Sequence, residues 1–149
     1  MKKKLFIKIP ITIALIIAFS SCATLEFNSN GFSSSEDAIK NIEKVMRSQG
    51  EKFTPNILNV TEEFISYDKE RSTHSAFSGW YGSSNTVNFS NTIYYDLIKE
   101  IKFIKKKSHY EIRIFSKSSR SVHIIFCWDE ELARKGASAI AYMQKNSKK

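Results

Sequence analysis

Two cysteines, Cys22 and Cys127, stand in 149 residues, too few for a disulfide scaffold. Two prolines and five glycines leave no proline-rich spacer and no glycine-rich phosphate loop. The three histidines, His74, His109 and His123, have no cysteine or carboxylate at zinc-pair spacing, so no metal and no cofactor is expected. Nucleophile-elbow, HExxH and calcium-loop motifs do not occur. An uncharged apolar run, Ile9 to Phe19, spans 11 residues. As a helix it would rise about 16 Å against a hydrocarbon core of roughly 30 Å, which makes a permanent transmembrane anchor there the weaker reading.

That run belongs to a recognisable layout. Lys2, Lys3 and Lys4 precede it, Ser20-Ser21-Cys22 follow it, and no acidic residue occurs before Cys22. This is the pattern of a secretory signal over 1–21. The tetrad Phe19-Ser20-Ser21-Cys22 resembles the lipobox of bacterial lipoproteins, with two small residues ahead of the cysteine and Phe19 where leucine is usual. The resemblance implies cleavage before Cys22 and acyl chains on its sulfur. At about 0.8 kcal/mol per buried methylene, two or more such chains anchor stably. It also implies a domain at the cell membrane or outer membrane, facing the periplasm or the exterior.

Net charge is +8, and Lys2, Lys3, Lys4 and Lys8 account for half of it. The remaining chain carries 19 basic and 15 acidic groups, and export would separate it from nucleic acid. Anionic lipid or glycan is the counter-charge that an exported chain would meet. With Cys22 acylated, Cys127 has no partner within the chain; in Val122-His123-Ile124-Ile125-Phe126-Cys127 it reads as a small packed hydrophobe.

Behind the leader, 22–34 is rich in Asn, Ser, Thr and Gly and reads as a flexible tether. Residues 35–149 read as a single α+β domain. Ser33 and Glu36 form a capping box for a helix from about Ser35 to Ser48, with Ala38, Ile39, Ile42, Val45 and Met46 on one stripe. Asn56 to Tyr67 reads as one strand or a bent pair, stopped by Asp68-Lys69-Glu70-Arg71. Ser72 to Asn91 reads as an irregular edge strand and a long loop. From Thr92 the alternation predicts successive antiparallel strands, with Lys105–Ser108 and Ser116–Ser119 as hairpin connections. A final helix has Asp129 as N-cap and Leu132, Gly136, Ile140 and Met143 on one side.

A meander closed by one C-terminal amphipathic helix resembles the pleckstrin-homology-like barrel, including its GRAM-type forms. Thr92 to Gln144 carries the likeness, above all Ile93-Tyr94-Tyr95-Asp96-Leu97-Ile98-Lys99-Glu100-Ile101. The resemblance implies a barrel or strongly curved antiparallel sheet with a capping helix. The alternating signs of Asp68-Lys69-Glu70-Arg71 depart from the basic first hairpin of lipid-binding members, so no phosphoinositide site is carried over. Phe64, Tyr95, Phe103, Ile112, Ile124 and Ile140 are the expected core.

Two surface features are candidate sites. Lys102, Lys105, Lys106 and Lys107 form the densest basic stretch; they read either as a solvated loop that blunts a strand edge or as a docking patch for anionic headgroups or glycan, at about 1 kcal/mol per basic group. Trp80 and Tyr81 read either as packing or as an exposed lip for a partner. No catalytic residue is assigned. The leading expectation is a non-enzymatic lipoprotein that binds a protein or other envelope component; anionic lipid or glycan binding through the lysines comes second, and an envelope hydrolase third.

Overall fold

A computed structural model describes residues 23–72, 86–118 and 122–147. The apolar stripe near the N-terminus rolls into helix α1, Ser35–Arg47, and buries Ala38, Ile42, Val45 and Met46. Its cap lies one residue later than the capping box placed it: Ser34 Oγ accepts from Asp37 N at 3.2 Å, while Ser33 Oγ donates to the Asp37 carboxylate at 3.1 Å. Glu36 and Asp37 occupy the first turn and Lys44 and Arg47 the last, each matching the helix dipole. A single further turn, α2, Gly50–Phe53, follows.

Strand β2, Leu58–Val60, and strand β3, Phe64–Ser72, are antiparallel. Thr61 closes the turn between them, its N–H donating to Phe64 O at 2.9 Å and its Oγ1 accepting from the N–H groups of Glu63 and Phe64. The charged run after Tyr67 does not stop β3. Strand β4, Thr86–Tyr94, pairs with it in unbroken register from Phe64 opposite Tyr94 to Ser72 opposite Thr86. A continuous ladder on one side satisfies the backbone whatever the side chains, so residues that look like a turn in isolation are held extended. Of the stretch read as an irregular edge strand and a long loop, Ser72 and Thr86 to Asn91 are regular strand, and 73–85 lie outside the described residues.

A 3-10 turn, Tyr95–Leu97, carries the chain out of this sheet into β5, Ile98–Lys105, and then β6, Tyr110–Ser116, and β7, Val122–Cys127. The residues read as a tether do not hang free. Ala23–Leu25 form β1, antiparallel to β5, with Ala23 opposite Lys105 and Leu25 opposite Phe103; Leu25, Phe27 and Phe32 pack against the core. Isolated apolar residues without periodicity gave no sign of this, because a three-residue strand needs only an open neighbour edge. Among the described residues the strands bond as two sheets, β2-β3-β4 and β1-β5-β6-β7, and not as one closed ring. The fold is α+β with antiparallel sheets and a C-terminal helix.

That helix, α3, Glu130–Asn146, is capped by Asp129, whose Oδ1 accepts from Leu132 N at 2.8 Å. It buries Ala133, Gly136, Ala137, Ile140 and Met143 and packs on β5, β6, β7 and α1. Gly136 sets the closeness of the two helices, since a Cβ there would stand 2.7 Å from Val45 Cγ1. Both sheets and both long helices share one apolar cluster, from Ile65 and Ile93 to Ile112, Ile125 and Ile140.

Of the expected core, Tyr95, Phe103, Ile112 and Ile140 are buried. Phe64, at the start of β3, and Ile124 are not fully buried; for Ile124 the reason is that β7 is apolar on both faces and its alternation alone cannot choose. Cross-strand pairing decides it: Ile125 stands opposite Ile112 and Ile124 opposite Arg113, so Ile125 and Cys127 face the helices.

Candidate functional site: the basic turn and the outer face of the four-stranded sheet

The four lysines of the basic stretch do not form one patch. Lys102 and Lys105 are three apart on β5 and therefore lie on opposite faces. Lys102 Nζ lies 3.4 Å from a Glu100 carboxylate oxygen and 5.2 Å from the Phe115 ring centre. Lys105, opposite Tyr110, lies 5.8 Å from that ring centre on the helix side. Lys105, Lys106 and Lys107 stay together in the turn between β5 and β6, which is closed by Lys106 N donating to His109 O at 2.8 Å. Lys105 and Lys107 are exposed.

On the face of β6 turned away from the helices, His109, Glu111 and Arg113 follow one another at every second residue. Glu111 is only 7 % exposed, yet it has partners on both sides. Arg113 Nε donates to its Oε2 at 2.7 Å, and His109 Nε2 to its Oε1 at 3.2 Å. Burial alone would raise this carboxyl; the hydrogen bonds from Arg113 and His109, with the charges of Arg113 and Lys106, hold it below the ordinary 4.5. Sequence reading passed over this trio, although three titratable residues at i, i+2, i+4 in an alternating strand are its visible signal.

Beside the trio lies an aromatic group. Phe53 from α2 stacks on Phe126 with ring centres 4.6 Å apart; His109 lies 5.6 Å from Phe126 and 6.3 Å from Trp128. Phe53 is 38 % exposed, Val122 41 % and Trp128 52 %. Large apolar side chains left in water beside a charged rim are the composition of a contact surface. Trp128, the most exposed of the three, was not singled out by the sequence.

The helix side of the same sheet end is tied down. Tyr110 OH donates to Glu130 Oε2 at 2.7 Å, and Arg134 Nη2 donates to Glu130 Oε1 at 2.8 Å. Arg134 Nη1 reaches the Glu26 carbonyl and the guanidinium lies over Phe103. The segment after β1 is thereby fastened to α3.

Clefts also occur elsewhere among the described residues. One of about 470 Å³ is lined by Phe27, Lys99, Glu100, Gln144 and Lys145 among others. The second, about 260 Å³, lies at Tyr94, Leu97, Ser116, Ser118 and His123; its histidine shares a hydrogen bond with Tyr67 at 3.1 Å, and among the described residues no carboxylate lines it. Burial pushes the Tyr67 hydroxyl up to about 12 and raises Tyr95 as well. Cys127 is buried, with its thiol donating to Asp129 O at 3.3 Å. Among the described residues no cluster of three or more His, Cys, Asp or Glu is placed to hold a metal, and no helix is long and apolar enough to cross a membrane.

Cys22, Trp80 and Tyr81 lie outside the described residues. No protein-family model, no curated protein and no solved structure matches this chain.

Proposed function

We propose that this chain is an exported lipoprotein, acylated on Cys22, whose folded part is a non-enzymatic binding module of the cell envelope. One observation carries the reading: Lys2, Lys3 and Lys4, then an uncharged run from Ile9 to Phe19, then two serines and a cysteine. Each part answers a physical need, since the lysines stay on the cytoplasmic side, the short apolar run engages export, and small residues admit the peptidase at the cysteine. Anchoring places the domain at the cell membrane or outer membrane, facing the periplasm or the exterior. Phe53, stacked on Phe126, and Val122 are the exposed apolar side chains offered to an envelope partner.

The proposed form is an opened pleckstrin-homology-like barrel. Its support is a three-stranded and a four-stranded antiparallel sheet sharing one core with a C-terminal helix. A second reading, binding to anionic lipid or glycan, is favoured by the three consecutive lysines of the β5–β6 turn. An envelope hydrolase is the weakest reading, resting on His123 beside Ser116 and Ser118.

Fractionation of cells expressing the wild type and Cys22→Ser tests the anchor. The wild type is expected in the membrane fraction and Cys22→Ser in the soluble one. A Cys22→Ser protein that stays with the membrane, or a mature protein that retains Met1, overturns the reading.

A further inference from the structure

We infer that strand β1 fixes the orientation of the domain on the membrane, bringing the β5–β6 turn of Lys105, Lys106 and Lys107, with Trp128 beside it, against an anionic bilayer surface. The inference rests on the reading of Cys22 as the acylated residue and adds a geometry to it.

The register of β1 is the first observation. Ala23 stands opposite Lys105, so the residue that follows the acylated cysteine is already bonded into the sheet at the mouth of the lysine turn. Consecutive Cα atoms are about 3.8 Å apart, which leaves no slack between the lipid and the domain. A tether of a dozen residues would let the domain tumble; a strand starting at the next residue does not. The hold continues past β1, where Arg134 binds the Glu26 carbonyl and Leu25 and Phe27 pack on the core.

Charge is the second observation. At this end Glu130 takes Tyr110 and Arg134, Glu131 takes Lys135, Glu111 takes Arg113 and Asp129 caps α3. The charges of Lys105 and Lys106 also act on Glu130 and Glu111; Lys105 and Lys107 are exposed. Held one residue from the lipid, they sit within roughly a Debye length, about 8 Å at physiological salt, of the headgroups. Attraction to anionic lipid is strong at that range and fades beyond it.

The third observation is Trp128. Tyr110 pairs with Cys127, so Trp128 follows β7 at the same end, in contact with His109 of the turn. An indole 52 % exposed beside lysines is the pairing that favours a bilayer interface. Lys99 and Lys145 line the cleft at the opposite end of the sheet, where Gln144 binds Ile98 O. They would face away from the bilayer.

The test is lysine modification of the wild-type acylated chain by a membrane-impermeant amine reagent, read by peptide mass spectrometry. It compares detergent micelles, vesicles of phosphatidylcholine with phosphatidylglycerol, and vesicles of phosphatidylcholine alone. Relative to Lys99 and Lys145, modification of Lys105 and Lys107 is expected to fall at least about three-fold on anionic vesicles, and to recover on neutral ones or in high salt. Unchanged Lys105 and Lys107 with an acylated Cys22 peptide overturns the orientation and leaves the anchor standing. Equal protection on neutral vesicles overturns the part assigned to charge. A Cys22 peptide without acyl chains overturns the anchoring reading, and the orientation with it.

Discussion

Gln49 shows how one side chain can join two elements. It follows α1, is 4 % exposed, and works in both directions: Nε2 donates to Met46 O at 3.2 Å, and Oε1 accepts from Phe126 N at 3.0 Å. β7 ends its sheet, so this amide gives one of its N–H groups the partner that a further strand would supply. Gln49→Ala leaves that donor buried without an acceptor, and is expected to cost about 1–3 kcal/mol in urea unfolding. Glu111 gives a pH dependence of definite sign. Its carboxyl titrates below the ordinary 4.5 in the folded state, so the unfolded chain binds its proton more readily. The stabilisation is present above 4.5 and is lost as pH falls through the lower folded value. Glu111→Gln is expected to be less stable than wild type at neutral pH, with a flatter urea-midpoint profile as pH falls below the ordinary carboxylate range. An equally steep profile in the variant would assign the acid response elsewhere.

At the scale of elements, the contact of α1 with α3 is set by the absence of a side chain. Gly136→Ala would gain about 1 kcal/mol in helix propensity, but its Cβ would meet Val45 Cγ1 at 2.7 Å and Val45 Cβ at 3.0 Å. Separating two packed helices in a closed core costs about 1–3 kcal/mol, so a net loss is expected in thermal or urea unfolding. Val45→Ala in the same chain removes the obstructing methyls and is expected to recover part of that loss. A strictly additive double mutant would mean that the two sites do not meet. Both long helices were legible as elements: their apolar stripes have the 3.6-residue period, and Asp129 is the small polar residue a cap requires, while the cap of α1 fell on Ser34 and not on the expected Ser33. The meander of β5, β6 and β7 was legible from alternation. β1 and the outer half of β3 were not, since both are held by a neighbouring strand's ladder and their own composition argues for loop.

For the whole molecule, two sheets and two long helices close on one apolar cluster, with Ile65 and Ile93 from one sheet and Ile112 and Ile125 from the other. Neither sheet can lose its partner without exposing these residues. A single cooperative transition is therefore expected, with far-UV and near-UV circular dichroism superimposing along a urea series; separated midpoints would mark two independent units. The helical stripes, like the lipobox-like tetrad on which the proposed export rests, follow from residue types and spacings alone, because such signals are read locally along a chain. The candidate site was only half legible. Four lysines close in sequence were visible, but strand alternation turns Lys102 away from Lys105. Glu111 was an ordinary strand carboxylate until its neighbours at every second residue closed around it, and Trp128 was only the residue after a strand. Which face of an apolar strand meets the core, and that part of a polar-looking tether is a strand beside the lysine turn, follow from pairing between residues far apart in the chain. Only the tertiary structure decides such pairing, because the partner that completes each hydrogen bond lies on another element.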